Sequence, residues 1–279
     1  MLSNLKELLT YAEENNCAIP AFNYTSLEVI TSVIKAAEDL DYPVILSFAP
    51  VHEIFYKIDT IFPIAKMLAQ KSKAKICLHY DHGTDLNKVK EAIDMGFTSV
   101  MYDGSSLNFE ENLANTIEIV KYAKPKNVSV EAELGRIKSY GLEGDGDTTS
   151  FYTDPEAARE FVLKSKVDCL AISFGTVHGE YQSEPDLNFP LIKKVREITN
   201  NIPIVMHGGS GVSKNDYIRC INSGVRKINY YTYMQREGYK RVSDLIKSNE
   251  SSYYHDIVLK GKEAFYDEAV KVINTFKNK

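Results

Sequence analysis

The sequence predicts an α/β protein, a single-domain (β/α)8 TIM barrel that occupies residues 1–279. Three observations lead to this fold class. Short apolar segments alternate with helix-period segments along the chain, eight strand candidates can be counted, and no low-complexity linker or change of composition divides the chain. Eight successive strand–helix units favour a closed barrel, and a Rossmann-like open sheet is the weaker alternative.

The strand candidates are nearly continuous in their apolar character. Strands of a parallel sheet that helices cover on both faces have this composition, because neither face meets water. The predicted strands are Ala18–Asn23, Pro43–Phe48, Lys75–Tyr80, Thr98–Tyr102, Asn127–Glu133, Val167–Phe174, Ile202–His207 and Val225–Asn229. Before them, Leu5, Leu8, Leu9 and Ala12 have helical spacing and predict an amphipathic helix rather than a signal peptide.

Start and stop signals mark the helices between the strands. Thr25 and Glu28 have the spacing of a capping box, which predicts a helix start. Further signals of helix starts and ends are Asp85, Gly96, Asp154, Pro155, Ser213 and Gly224. The region after Tyr253 predicts one extra helix, and the range Lys138–Phe151 predicts a long loop rich in glycine and aspartate.

Composition and charge restrict the classes of partner. The net charge is −5, with lysines and arginines scattered among acidic residues, which argues against nucleic acid or an anionic membrane as a partner. No apolar run reaches the roughly 18 residues of a membrane span. The four cysteines, Cys17, Cys77, Cys169 and Cys220, form no close pair in the sequence. We therefore expect buried free thiols and a cytoplasmic protein.

Polar residues that carry chemistry cluster where the predicted strands end. Active sites of (β/α)8 barrels form at the carboxyl ends of the strands and in the loops after them. The residues at these positions are Asn23, Asp81, His82, Asp103, Glu133, His178, His207 and Asn229. Three of the six histidines therefore come from three different strands to one barrel mouth. Three imidazoles, with one position left for water or substrate, are the ligand set of a catalytic zinc site.

A structural role is the alternative for each histidine taken alone. A single histidine at a strand end usually forms a structural hydrogen bond, but convergence of three makes this explanation weaker. We expect structural roles for the other three, since His52 and His255 fall in loop or helix segments and His79 lies earlier on its strand. Asp81 next to His82 is either an acid/base or the partner of a ligand, and the glycine that follows lets the strand bend.

Two polar segments follow the seventh and eighth predicted strands. The segment His207–Gly211 reads HGGSG, and the segment Asn229–Thr232 reads NYYT. Glycines allow backbone N–H groups to approach an anion closely, and Ser210 adds a hydroxyl donor. The loops after strands seven and eight are the usual phosphate site of such barrels. We therefore expect a phosphate there, with a simple tight turn as the alternative.

Five motifs occur in order along the chain. They are HYDHG at His79–Gly83, EAELGR at Glu131–Arg136, GTVHGEY at Gly175–Tyr181, HGGSG at His207–Gly211 and KINYYT at Lys227–Thr232. Together they resemble the motifs of the class II ketose-bisphosphate aldolases, which include fructose- and tagatose-bisphosphate aldolases. The resemblance runs from near Ala21 to about Thr232. It implies a metal-dependent carbon–carbon lyase.

The resemblance also implies the roles of individual residues. It implies a zinc ion held by His82, His178 and His207, with Glu133 as a further residue at the metal, and Asp81 as the catalytic acid/base. Residues expected to bind substrate, most of them at the dihydroxyacetone phosphate half, are Asn23, Gly179, Gly208, Gly209, Ser210, Asn229, Tyr230, Tyr231 and Thr232. A monovalent cation, Na⁺ or K⁺, accompanies that phosphate in members of the family.

The sequence departs from the family pattern in several places. The loop after EAELGR is longer than usual, and Glu143 within it is the expected proton donor to the enediolate. Ala49 stands where the family carries a substrate-binding serine. Tyr230 and Tyr231 replace smaller residues, and the range Ile257–Lys262 lacks an expected arginine. The half that holds dihydroxyacetone phosphate is therefore intact, whereas the aldehyde half is altered.

These features predict a glycolytic aldolase that reversibly cleaves a ketose (bis)phosphate into dihydroxyacetone phosphate and an aldehyde. Fructose or tagatose 1,6-bisphosphate, giving glyceraldehyde 3-phosphate, is the expected substrate. The alternatives are an aldolase of the same class that acts on another phosphorylated ketose or a keto-deoxy sugar acid, and a non-catalytic sugar-phosphate-binding barrel. The first strand lacks the His-x-His pair of an amidohydrolase, and the sixth lacks the lysine of a Schiff-base aldolase. We expect a homodimer or a homotetramer.

Overall fold

Eight parallel strands close into a barrel in the computed structural model, which describes residues 1–135, 137–139, 152–248 and 253–278. The strands are β1 (Ile19–Asn23), β2 (Val44–Phe48), β3 (Ile76–Gly83), β4 (Ser99–Tyr102), β5 (Ser129–Leu134), β6 (Cys169–Ile172), β7 (Ile204–Met206) and β8 (Val225–Tyr230). They follow one another around the barrel in sequence order, and β8 pairs with β1. The predicted fold class is confirmed, and each predicted strand overlaps an observed one.

One helix precedes β1, and helices follow every strand. They are α1 (Leu5–Glu14), α2 (Leu27–Asp39), α3 (Ile58–Lys71), α4 (Leu86–Met95), α5 (Phe109–Ala123), α6 (Pro155–Ser165), α7 (Phe189–Ile198), α8 (Lys214–Ser223), α9 (Thr232–Ser248) and α10 (Tyr254–Phe276). The extra helix predicted after Tyr253 is α10, which packs against α2 and α9. In the described ranges, no helix combines the length and the apolar character that crossing a bilayer would need.

Side-chain caps fix the helix starts largely as predicted. Asp85, Asp154 and Ser213 cap α4, α6 and α8, and Gly96 and Gly224 end α4 and α8 in the left-handed conformation. The predicted cap of α2 by Thr25 is wrong by one residue. Ser26 caps α2 instead, because the chain is still extended there (φ −158°) and its Oγ accepts a hydrogen bond from the N–H of Val29.

One end of the barrel is closed by α1. This helix contacts β1, β3, β5 and β8, and the segment around it bonds to the first residues of β3 and β5, Ile76 and Ser129. The predicted apolar face of α1 is fully buried there. The opposite end, where the strands reach their carboxyl ends, is left for a site. The four cysteines are buried and form no disulfide, as expected.

Candidate metal centre and active site

A pocket with about 300 Å³ of open space lies at the carboxyl ends of the strands. It is lined by Asn23, Asp81, His82, His178, Gly179, Gly208, Gly209, Ser210, Asn229, Tyr231 and Thr232. All eleven were assigned to the site from the sequence. They come from β1, β3, the segment after β6, the loop after β7, the end of β8 and the start of α9. In the segment after β6, Val177–His178 pairs with Lys138–Ser139 as a short two-stranded sheet. The closure of the barrel brings these distant segments together.

Three imidazoles converge beside this pocket. One ring nitrogen from each of His82, His178 and His207 lies within 4.8 Å of the others. Nε2 of His82 is 2.9 Å from Nδ1 of His207, and the centroids of these two rings are 4.5 Å apart. The structure therefore places together the three histidines that the sequence predicted to meet.

Carboxylates orient two of the rings. Nδ1 of His82 bonds to Oδ2 of Asp103 at 2.8 Å, and Nε2 of His207 bonds to Oε1 of Glu131 at 2.8 Å. These contacts leave Nε2 of His82 and Nδ1 of His207 directed at each other. A carboxylate on the far nitrogen is the usual support of a metal-binding histidine. The sequence analysis placed Asp103 at the mouth but assigned no role to Glu131.

The site carries an excess of negative charge. Burial disfavours the protonated ring of His82, but the carboxylates of Asp81 and Asp103 outweigh it and raise the pKa of His82 to about 10. Burial, together with Asp103 and Glu131, raises the pKa of Glu133 well above its usual range. Oε2 of Glu133 is buried and has no hydrogen-bond partner within the described residues. Imidazole donors surrounded by uncompensated carboxylates fit a divalent cation.

Glu133 lies to one side of the three imidazoles. One carboxylate oxygen of Glu133 lies within 4.8 Å of a ring nitrogen of His82 and of a carboxylate oxygen of Asp103. The cluster formed by the three histidines does not include Glu133. Both Glu131 and Glu133 face the inside of the barrel, because alternate residues of a strand share a face. This places Glu133 at the metal side of the mouth, next to one ligand candidate.

A backbone irregularity brings two neighbouring residues to the same site. The pairing of β3 with β4 slips between Tyr80 and Gly83, and His82 takes a left-handed φ of +49°. In a regular strand, adjacent side chains point to opposite faces, so this bulge is what lets Asp81 and His82 both line the pocket. The sequence predicted a bend at Gly83, and the positive φ falls one residue earlier.

Two side-chain amides hold the carboxylate of Asp81. Oδ2 accepts hydrogen bonds from Nδ2 of Asn23 at 3.0 Å and from Nδ2 of Asn229 at 3.1 Å. Burial opposes ionisation of Asp81, but the positive charges of His82 and Lys227 outweigh burial and hold its pKa well below its usual range. An ionised carboxylate therefore lines the pocket.

A buried lysine beneath Asp81 was missed by the sequence analysis. Lys227, on β8, is 0% exposed, and its Nζ lies 2.7 Å from Oε2 of Glu131 and 3.9 Å from Oδ1 of Asp81. The Schiff-base alternative was tested only on the sixth strand, yet this lysine is inside a strand. It is paired with a carboxylate and does not line the pocket. His79, in the same cluster, contacts Asp81 and Ser99, the supporting role expected for it.

The wall formed after β7 and β8 can bind an anion. Gly208 has a φ of +63°, and a Cβ there would collide with the carbonyl group of Val177. Oγ of Ser210 accepts a hydrogen bond from the N–H of Tyr231 at 3.1 Å, which ties the two loops together. Thr232 lines the pocket as the first residue of α9. Helix starts present free N–H groups and a positive dipole end, which favour phosphate.

Two predicted features lie away from the pocket, and a third falls outside the described residues. The hydroxyl of Tyr230 donates to Glu268 on α10, because alternation along β8 turns Tyr230 outward where Asn229 faces inward. The range Ile257–Lys262, predicted to lack an expected arginine, lies on α10, and none of it lines the pocket. Glu143 falls outside the described residues.

His52, predicted to lie in a loop or helix segment with a structural role, is on a short 3₁₀ helix and packs beside the pocket. It is 0% exposed, and its ring centroid lies 4.8 Å from that of Tyr231, which lines the pocket. The sequence carried no signal for this placement, because no helical or strand period shows which side of a short connecting segment is buried.

Comparisons with known proteins agree with this geometry. A family model described as fructose-bisphosphate aldolase class-II matches residues 3–279. The fructose-bisphosphate aldolase of Staphylococcus aureus (strain N315) is 36% identical over 258 residues, which cover 90% of this chain and 88% of that protein. The fructose-bisphosphate aldolase of Geobacillus stearothermophilus is 37% identical over 255 residues, with the same coverage.

A solved structure extends this similarity to the fold. The YdjI aldolase from Escherichia coli K12 is 33% identical in sequence, with a TM-score of 0.88 over 99% of this chain and 97% of that chain. The family model, the relatives and the solved structure therefore agree over almost the whole length. The chain belongs to the class II fructose-bisphosphate aldolase family, and it is a lyase.

Proposed function

We propose that this protein reversibly cleaves a ketose phosphate into dihydroxyacetone phosphate and an aldehyde. One observation carries the proposal: three imidazoles, an ionised carboxylate and a glycine-lined anion cradle meet at one pocket. The relatives named fructose-bisphosphate aldolase favour fructose 1,6-bisphosphate as the substrate, with glyceraldehyde 3-phosphate as the aldehyde. Tagatose 1,6-bisphosphate, its epimer at carbon 4, is the second candidate within the same reaction.

We assign the metal site to His82, His178 and His207, with Glu133 as the neighbouring carboxylate. Zn²⁺ is the proposed ion, because three imidazoles with an open position are typical of catalytic zinc. When bound, the ion supplies Lewis-acid stabilisation of the negative charge that develops on the ketose oxygens as the carbon–carbon bond breaks. The carboxylates of Asp103 and Glu131 keep the imidazoles of His82 and His207 oriented.

Asp81 is the proposed acid/base. Its ionised carboxylate accepts the proton of the carbon-4 hydroxyl when the bond between carbons 3 and 4 breaks, and the same carboxyl group returns that proton in condensation. Asn23 and Asn229 hold the carboxylate from two strands, so its direction is fixed before substrate binds. Glu143 stays the proposed donor of the proton to carbon 3, and it lies outside the described residues.

The phosphate of the dihydroxyacetone half is proposed to lie against the loops after β7 and β8. Backbone N–H groups of the glycine loop, the start of α9 and the hydroxyl of Ser210 are its donors. The residues proposed for this half of the substrate are Asn23, Gly179, Gly208, Gly209, Ser210, Asn229, Tyr231 and Thr232. We keep Na⁺ or K⁺ at this phosphate as part of the proposal. Tyr230 contributes only through its backbone, since its side chain faces α10.

A different ketose of the same chemistry is the second candidate. No lysine or arginine lines the described part of the pocket, whereas a distal phosphate is usually held by such side chains. This observation favours a phosphorylated ketose without a distal phosphate as the natural substrate. A keto-deoxy sugar acid stays an alternative, but its carboxylate gains nothing from a pocket whose described lining holds no cation. A non-catalytic sugar-phosphate binder is the less favoured reading, because it has no use for an ionised Asp81 beside three ligand candidates.

We also propose a homodimer or homotetramer in a reducing cytoplasm. Large apolar side chains are exposed on α9, on α10 and at the N-cap of α10, among them Tyr239, Ile246, Tyr253, Tyr254 and Leu259. Such surfaces are typical of subunit contacts. The four buried free thiols suit a reducing compartment. Light scattering of the purified protein measures the assembly directly.

The deciding experiment follows both halves of the reaction. Exchange of a carbon-bound proton of dihydroxyacetone phosphate with solvent deuterium, followed by NMR, reports on proton abstraction without an aldehyde. Cleavage of fructose 1,6-bisphosphate, tagatose 1,6-bisphosphate and fructose 1-phosphate is measured in parallel with zinc-loaded protein. We expect exchange and cleavage of at least one ketose. Binding of the ketoses without exchange or cleavage would instead identify a non-catalytic barrel.

A further inference from the structure

The short 3₁₀ helix after β2 has an inverted arrangement of polar and apolar side chains. It spans Pro50–Ile54. Val51 and Ile54 are 39% and 68% exposed, whereas His52 between them is 0% exposed. Burying a polar ring where apolar side chains are available is unfavourable unless its nitrogens are satisfied. Packing alone therefore does not explain why His52 is the residue that faces inward.

The buried imidazole lies beside the pocket. Its ring is tilted by 36° against that of Tyr231, at a centroid distance of 4.8 Å. It is close enough to Asp81 for that carboxylate to act on its pKa. Neither Nδ1 nor Nε2 of His52 has a hydrogen-bond partner in the part of the chain that the structure describes. Oγ of Ser47, at the end of β2, is a further buried polar atom in the same condition.

The segment after β2 places His52 between two parts of the proposed site. Its ring contacts Tyr231, which follows β8, and Asp81, at the end of the neighbouring strand β3, is close enough to act on its pKa. Asp81 is proposed to act at the bond that breaks. As part of the proposal, the carbons beyond that bond, which become the aldehyde, extend from Asp81 towards His52.

We propose that His52 is a specificity-determining residue that binds a hydroxyl group of the aldehyde half through its neutral imidazole. The proposal rests on the proposed function. A neutral imidazole has one donor and one acceptor nitrogen, and a hydroxyl group likewise donates and accepts. A phosphate or carboxylate only accepts and pairs better with lysine or arginine. The expected aldehyde is therefore a polyhydroxy aldehyde whose hydroxyl group, rather than a charged group, contacts this wall.

The protonation of the ring agrees with this geometry. Burial lowers the pKa of His52 to about 4, and His82 acts in the same direction, so the ring is neutral near pH 7. Tyr231 covers one face of the ring and restricts the directions from which a hydroxyl group can approach. The two unpartnered nitrogens lie in the ring plane, which is where a hydroxyl group must be placed to bond to them.

The test compares the two halves of the reaction in zinc-loaded His52→Phe. Phenylalanine keeps an aromatic ring against Tyr231 but removes both nitrogens. Proton exchange of dihydroxyacetone phosphate measures the half without aldehyde. Condensation of dihydroxyacetone phosphate is then measured with glyceraldehyde, with lactaldehyde, which lacks the terminal hydroxyl, and with 3-hydroxypropanal, which lacks the central hydroxyl. His52→Gln keeps a donor and an acceptor, and Val51→Ala is the matched control in the same short helix.

We expect proton exchange to stay close to that of the parent in every variant. In His52→Phe, kcat/KM for glyceraldehyde should fall roughly 10- to 100-fold, because a buried hydroxyl group loses its partner. For one of the two deoxy aldehydes, kcat/KM should fall much less. The parent's preference for glyceraldehyde over that aldehyde should therefore largely disappear. His52→Gln should recover part of that preference, and Val51→Ala should retain all of it.

The outcomes separate the proposal from the function on which it rests. If His52→Phe keeps the parent's preference among the three aldehydes, or lowers kcat/KM equally for all three, His52 does not bind a hydroxyl group and the proposal is wrong. If His52→Phe and His52→Gln both lose proton exchange, the histidine has a structural role and the proposal is also wrong. If the parent itself shows no exchange, the proposed function fails independently of His52.

Discussion

Replacing Lys227 with methionine should destabilise the barrel strongly. Nζ of Lys227 lies 2.7 Å from Oε2 of Glu131, and both side chains are 0% exposed. Methionine has a similar length without the charge, so the substitution leaves Glu131 buried and ionised without its cation. Removing one partner of a buried ion pair costs about 3–5 kcal/mol, because the remaining charge is uncompensated. For a chain of 279 residues, that is a decrease in melting temperature of roughly 5–9 °C.

The pH dependence of this effect follows from the pKa of Glu131. Burial opposes its ionisation, but Lys227 and His207 outweigh burial and lower the pKa of Glu131 from 4.5 to about 2. A lowered folded-state pKa contributes stability that is complete above the unfolded value and is lost as the pH falls through the folded value. The difference in unfolding free energy between parent and Lys227→Met should therefore narrow as the pH falls from about 4.5 towards 2.

A double variant and a surface control make the measurement specific. Lys227→Met with Glu131→Gln removes both charges and keeps an acceptor for His207, so it should recover much of the lost stability. Lys260→Met breaks a pair of similar length, 2.6 Å to Glu263, at a partly exposed position on α10. Such exposed pairs contribute only about 0–1 kcal/mol.

Urea unfolding of metal-free protein gives the free energies for all these variants. The reasoning about burial would be refuted if the two lysine variants lost equally little stability. It would also fail if the double variant lost the sum of its two single effects, since no coupling between the charges would then exist.

The remaining predictions concern the chemistry. A strong chelator should abolish cleavage, and His178→Ala should retain its fold but bind less than one zinc ion per chain by mass spectrometry; full activity in metal-free protein would contradict this. Asp81→Asn should lose about 10²–10⁴ in cleavage rate while keeping zinc. The control Glu91→Gln, at an exposed position on α4, should keep its rate. If Asp81→Asn lost only a few-fold, another group would be the base. The ratio of kcat/KM for fructose 1,6-bisphosphate to kcat/KM for fructose 1-phosphate should be less than about 10³, some 4 kcal/mol, since no cation lines the described pocket. A larger ratio would mean that the enzyme depends on the distal phosphate. Borohydride with substrate should leave the protein mass unchanged, because Lys227 is buried and paired, and an adduct would indicate a Schiff base.

The fold could be predicted because each strand carries its own evidence. Near-continuous apolar runs mark strands covered on both sides, and the caps at Asp85, Asp154 and Ser213 are local features of the chain. Boundaries were less certain where tertiary contacts decide them. β3 continues to Gly83 rather than ending at Tyr80, because the bulge extends its pairing with β4.

Most of the pocket could be predicted because strand ends in a barrel must meet at one mouth. His82, His178 and His207 needed only the strand assignment to be brought together. Tyr230 was included because its motif continues through it, although its place between Asn229 and Tyr231 on β8 already implied the opposite face.

The alternation of side chains along a strand would also have predicted the charged residues Lys227 and Glu131 beneath the pocket. A step of two residues from each strand-end residue stays on the inner face of its strand. From Asn229 this step gives Lys227, and from Glu133 it gives Glu131; these residues form the buried pair. Strand alternation therefore accounts for the residues at the strand ends and for the buried pair beneath them.

The side of the pocket at His52, which is proposed to bind the aldehyde half, is not formed by a strand. His52 lies on a 3₁₀ helix, where no strand period decides which side chain faces inward, and only its packing against Tyr231 reveals its place. Changes in such a connecting segment can alter that side of the pocket without disturbing Asp81 or the residues proposed to hold the metal. Because the barrel separates these two sets of residues, substrate choice can change while the proton transfer stays the same. The aldehyde should therefore be inferred from the loops of this chain rather than from the motifs that it shares with its family.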